Sequence, residues 1–197
     1  MCSGTNRRRS RHFLAVLCRA VPLLAVPFSA AAEMEVSALG GIVVDAVVQR
    51  DQVVRREGNT VPVRMEQSWK FSVGEDRIID MKVETTAHSS RGARKAPANS
   101  GLFRLEEARD VSSRGGGQAV WTFSDGTLSF IRTFPSGAFR IHFAFADGPG
   151  GLTCTATEAF AREDGKREIE LESPFGGRVA VVSTKQVASS CKVTRKK

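Results

Sequence analysis

The chain contains no tyrosine and only three histidines. One of them, His12, lies in the N-terminal leader described below, so a Ser-His-acid triad would have to use His88 or His142. Neither is well placed. His142 falls on the polar face of a strand beside Arg140, a position suited to hydrogen bonding across strands. His88 opens a polar stretch that would hold a catalytic geometry poorly. No Gly-x-Ser-x-Gly occurs, and no His or Cys group has the short spacing of a metal site. Gly115-Gly116-Gly117 leads into neither nucleotide fingerprint. No catalytic, cofactor-binding or metal-ligating residue is therefore assigned. One enzymatic reading stays open, a hydrolase whose carboxylate pair is brought together from distant parts of the chain. Adjacent Glu106 and Glu107 would diverge on a strand and do not make such a pair.

A long hydrophobic run is missing too. The longest apolar stretch, Phe13 to Phe28, is interrupted by Arg19, Pro22 and Pro27, and a membrane span needs roughly 20 residues. Preceded by the basic Arg7 to His12 and followed by Ser29-Ala30-Ala31-Ala32, it reads as a signal helix cut before Glu33. Arg8-Arg9 hints at twin-arginine export. Residues 1–32 are thus expected to leave. Residues 33–197 remain as one domain without a transmembrane span, periplasmic or secreted.

That cut changes the meaning of the charge. The chain has 29 Lys+Arg against 21 Asp+Glu, a net charge of +8. The leader holds five of those bases (Arg7, Arg8, Arg9, Arg11, Arg19) and no acid, leaving 24 against 21, or +3. A nucleic-acid partner loses its main support, and no aromatics alternate with the bases as single-strand binding would require.

Cysteine is scarce as well. Of four, Cys2 and Cys18 lie in the leader. Cys154 and Cys191 remain, and in an exported chain the simplest pairing is one disulfide. In the chain-entropy account it would contribute roughly 3–4 kcal/mol. A redox pair would sit closer in sequence, and metal ligands would need neighbours.

What is plentiful is alternation. Val120 to Phe145 holds six of the 12 Phe. It reads as a three-stranded meander with turns at Asp125-Gly126 and Pro135-Ser136-Gly137. Trp121, Phe123, Leu128, Phe130, Phe134, Phe139, Ile141, Phe143 and Phe145 share the inner face. Val36 to Gln52 is Val-rich, and Ile42, Val44, Ala46 and Val48 within it alternate, favouring a strand; Thr60 to Val73 and Ile79 to Glu84 also alternate. Leu152 to Arg162 does so with one exception, Glu158. Lys166 to Ser173, Val179 to Thr184 and Val187 to Val193 complete the strands. The outward Glu168, Glu170 and Glu172 suit a solvated strand face that discourages aggregation, rather than a calcium edge. The expected fold is all-β, an antiparallel up-and-down meander closing as a barrel or a sandwich. Between the halves, a polar segment near 88–117 is expected to be mobile.

Several short pieces carry a resemblance: Ser136 to Ile141, Cys154-Thr155-Ala156, the Gly165-Lys166 turn, Ser173-Pro174 and Ser189 to Val193. Over roughly residues 120 to 193 the chain resembles a group of small exported bacterial proteins with a two-cysteine C-terminal half and no known activity. The likeness implies an exported β domain bridged by Cys154 and Cys191, and it implies no site.

Function is expected to be non-enzymatic: binding of a small apolar molecule or of another envelope component. In a barrel, segment 88–117 would be a lid, with Arg91, Arg94 and Lys95 meeting an anionic headgroup.

Overall fold

The structure, a computed structural model, describes residues 34–106, 119–163 and 165–196. The expected leader, residues 1–32, the Gly115–Gly117 run and most of the second half of the polar segment lie outside them. Eleven strands follow a short 3-10 turn, Val36–Leu39. They are β1 Ile42–Arg56, β2 Asn59–Val73, β3 Ile78–Ser89, β4 Gly92–Lys95, β5 Asn99–Glu106 and β6 Ala119–Ser124, then β7 Thr127–Phe134, β8 Gly137–Gly148, β9 Gly151–Arg162, β10 Ile169–Glu172 and β11 Arg178–Arg195. They form one nearly closed, barrel-like sheet in the order β10-β11-β1-β2-β3-β5-β6-β7-β8-β9, with β4 on β3.

The expected meander is β6–β7–β8, and its turns have the anticipated chemistry. Asp125 and Gly126 adopt φ of 48° and 70°, the left-handed pair that a two-residue hairpin joining right-twisted strands requires. At Gly137 a Cβ would come 2.2 Å from the Ala161 carbonyl oxygen, so β8 can approach β9 there only as glycine. Pro62 is accommodated because β3 pairs with β2 only from Arg64 onward, leaving its nitrogen off that ladder.

The two last expected strands, Val179 to Thr184 and Val187 to Val193, are one continuous β11, and three further features depart from the sequence reading. First, Val36–Leu39 is a 3-10 turn, and β1 begins only at Ile42. Second, the stretch from His88 to Gly101 is not irregular: it carries the end of β3, β4 and the start of β5. β4 pairs with the end of β3, Thr86–Ser89, and β5 pairs with its other half, Ile78–Val83. Backbone ladders need no apolar alternation, so a polar segment can complete an edge. Third, β5 and β6 pair in parallel, through Leu105 with Trp121 and Glu106 with Thr122.

Closure is incomplete at one seam. β9 and β11 are not ladder neighbours, and side chains join them instead. The Cys154–Cys191 disulfide, spanning 37 residues of sequence with Cα atoms 5.5 Å apart, is one link. Gln186 is the second: its Oε1 accepts from the Glu158 amide at 2.7 Å and its Nε2 donates to the Ala156 carbonyl at 3.3 Å. The third is Arg162 Nη2, donating to the Val182 carbonyl at 2.7 Å. Nearby, Ser136 in the β7–β8 turn accepts from the Glu170 amide at 2.7 Å, which ties β10 to that end of the barrel.

The core occupies one half of the interior. Trp69, Phe71, Trp121 and Phe143 are at most 2% exposed. Their rings meet mostly edge to face, with Trp69–Trp121 centroids 6.3 Å apart at 85° and Phe71–Phe143 4.8 Å apart at 64°, the arrangement that ring quadrupoles favour. Leu39 and Ile42, fully buried, close this half. Over the 3-10 turn, the Gly41 amide donates to the Val73 carbonyl, and Arg195 Nη2 donates to the Ala38 carbonyl at 2.9 Å.

Candidate ligand-binding cavity

The other half of the interior is open. A cavity of about 1060 Å³ runs from a polar belt at mid-barrel to a mouth formed by the β1–β2, β3–β4 and β10–β11 turns. Its walls are largely apolar, with Val54, Val63, Met65, Val83, Ala87 and Val179 among them. Aromatic rings of Trp69, Phe130, Phe139 and Phe160 line its deep end.

The belt follows from strand parity. On β1 the inward positions run Ile42, Val44, Ala46 and Val48, then Arg50 and Gln52, all buried. Gln67 occupies the same inward row as Trp69 on β2, and Thr85 the same row as Val83 on β3. Glu158, the exception noted in the β9 alternation, does point inward. Its side chain is 2% exposed and pairs with Arg50 Nη1, itself on a side chain 7% exposed. Arg50 Nη1 also donates to Gln67 Oε1 at 3.1 Å, and Gln67 Nε2 donates to Thr85 Oγ1 at 3.4 Å. The guanidinium carbon lies 5.6 Å and 5.4 Å from the ring centres of Phe139 and Phe160, a cation–π arrangement. Burial pushes the Glu158 carboxyl up from its ordinary value, against the pull of the Arg50 guanidinium. Arg50 Nε and Glu158 Oε2 have no hydrogen-bond partner among the described residues. The belt is thus an ion pair inside a hydrogen-bonded network, separating a filled half from an open one.

The three cations expected to meet a ligand separate. Arg91 and Arg94 both line the cavity, at its rim. Arg94 reaches across the mouth: Nη2 donates to the Phe175 carbonyl at 3.1 Å and the guanidinium lies 5.7 Å from the Phe175 ring centre. Lys95 does not line the cavity; its ammonium is on Glu84, 2.6 Å away. Alternation puts it on the outer face, since it pairs with Thr86 rather than inward Thr85. The sequence reading missed Arg132. It sits between Phe130 and Phe134 on the inward row of β7, lines the cavity, and stacks 5.3 Å from the Phe134 ring centre. Parity was the available signal for Arg50, Gln67, Arg132 and Glu158 alike: each occupies an inward position in a strand whose apolar residues set the row.

His142 lies on the outer face, away from the cavity, with Nδ1 2.8 Å from Ser129 Oγ across the β7–β8 pair. Burial, and then the nearby Arg140 charge, lower its pKa. Arg140 offers the imidazole a like charge where a triad would place an acid. Among the described residues no group of three or more His, Cys, Asp and Glu side chains could hold a metal ion, and Glu168 pairs with Arg55. No helix among them is long and apolar enough to cross a membrane. No protein-family model matches the chain, and no curated protein or solved structure is significantly similar to it.

Proposed function

We propose that this is a non-enzymatic, exported binding protein that holds a small, largely apolar molecule in the open half of its barrel. The observation that carries this reading is the cavity itself. At about 1060 Å³ it matches the upper end of ligand pockets, roughly 300–1,000 Å³, and its apolar walls with a few fixed polar groups are typical of them. Each methylene withdrawn from water into such a space contributes about 0.8 kcal/mol.

A hydrolase finds less support. Glu158, the carboxylate at the deep end, is engaged by Arg50. The carboxylates that line the cavity itself are Glu57 and Glu172, and Glu57 is 82% exposed at the β1–β2 turn, beside Arg56. Export draws on the leader sequence and on the disulfide, which suits an oxidising compartment. The likeness to small exported bacterial proteins belongs to the same proposal.

Titration with the neutral, polarity-sensitive fluorophore N-phenyl-1-naphthylamine tests the binding reading. Saturable enhancement at one site per chain is expected; no enhancement on the folded protein would refute it. For export, N-terminal sequencing of envelope protein should read from Glu33, and a product starting at Met1 would refute that part.

A further inference from the structure

The cavity is apolar but not electrically neutral, and its charge is distributed unevenly around its wall. At the floor Arg50 is compensated by Glu158 and covered by the Phe139 and Phe160 rings. An anion brought to Arg50 would face the Glu158 carboxylate, so Arg50 is not free to hold a headgroup. Away from that pair the balance reverses. Arg132 projects inward from β7 opposite Phe139, and Arg91 and Arg94 stand at the rim, whereas Glu57 is turned to solvent beside Arg56 and Glu172 is exposed. Arg132, Arg91 and Arg94 make no ion pair among the described residues. Arg132 is only half-buried, in a space with low-dielectric walls where a charge acts more strongly than in water.

Resting on the binding role proposed above, we infer that the ligand is a single-chain anionic amphiphile whose carboxylate or phosphate head is held by Arg132, inside the Arg91–Arg94 rim. The alkyl chain would lie along the apolar wall of Val63, Met65 and Val83. Arginine suits the head because its planar fork can donate two parallel hydrogen bonds to either oxyanion.

Four probes of equal chain length test this by displacement of the neutral fluorophore: hexadecanoate, hexadecyl phosphate, hexadecanol and hexadecyltrimethylammonium. The two anions should bind at least about tenfold more tightly than the alcohol, the scale of a charge-assisted hydrogen bond, and the cation more weakly still. Arg132→Met should remove most of the anion preference, read as the ratio of anion to hexadecanol affinity within the variant, while Arg132→Lys restores part of it. Lys95→Gln, which alters a cation off the cavity, should match the unaltered protein. The comparison among probes on the unaltered protein stands even if an Arg132 variant fails to fold. Anion and alcohol of equal affinity, or the cation bound best, would overturn the headgroup assignment while leaving a binding cavity. An anion preference unchanged in Arg132→Met would overturn the role of that residue. Failure of the fluorophore and of all four probes to bind would overturn the binding role and this inference with it.

Discussion

The two halves of the barrel are built from the same inward rows and use them differently. Below the belt, every row ends in a side chain that meets others: Val44 and Ala46 on β1, Trp69 and Phe71 on β2, Phe143 and Phe145 on β8, all buried in one cluster. Above it, Val54, Val61 and Val63 continue the rows into open space, and Val61 is 39% exposed. Aromatic residues account for much of the difference. Two Trp and several Phe meet one another in the lower half, while above the deep-end rings the β1 and β2 walls of the upper half are valines such as Val54, Val61 and Val63. A filled interior stabilises the fold; an unfilled one, ringed by a solvent-facing mouth, is available to a ligand.

The contrast predicts unequal responses to the same kind of substitution. Phe143→Ala, in the filled half and fully buried, should cost about 3–5 kcal/mol by denaturant titration. A loss under 1 kcal/mol would mean the filled half is not packed as described.

At the boundary, Glu158→Leu strands the buried Arg50 charge and should cost about 3–5 kcal/mol. The double change Arg50→Met with Glu158→Leu should recover most of that, since a buried ion pair is often replaceable by apolar groups of similar size. A double variant as damaged as the single one would show that the belt stabilises the fold beyond its charge pairing. The sign of the pH effect follows from the raised carboxyl pKa. Stability linked to Glu158 is complete below the ordinary carboxylate range and declines as pH rises through the raised value, so Glu158→Gln should remove that decline.

At the seam, Cys154→Ser or Cys191→Ser should each cost about 3 kcal/mol. The two should agree closely because both remove one crosslink. Unequal losses would point to separate roles for the two side chains.

The smallest effect belongs to the open wall. Val63→Ala should change stability by less than about 0.5 kcal/mol, as substitutions outside a packed core do.

The filled half was far more legible in the sequence than the open one. Alternation identified the β6–β8 meander, its inner face and its Asp125-Gly126 turn, because burial on one side imposes a period of two that apolar residues report directly. The disulfide followed from cysteine scarcity. The rim was only partly legible: Arg91 and Arg94 are on the cavity and Lys95 is not, because the β4 register that separates them is set by backbone pairing with β3. Arg50 and Glu158 stand 108 residues apart. Each breaks an apolar row when viewed alone, and only the closure of β9 towards β1 brings them together. The parallel β5–β6 pair was invisible for a related reason, since alternation records which face is buried and not which strand is adjacent.

The proposed binding role depends most on the open half being a ligand compartment, and filling it is the direct test. Ala87 lines the cavity, so Ala87→Trp should occupy the space without strain. The same bulk forced into a packed position such as Ala46, 2% exposed, would cost at least about 1–3 kcal/mol. The decisive measurement is titration of N-phenyl-1-naphthylamine into Ala87→Trp alongside the unaltered protein. Saturable binding to the unaltered protein, loss of at least about tenfold in affinity in the variant and unchanged unfolding midpoints are expected. Equal binding by the two proteins would contradict that role.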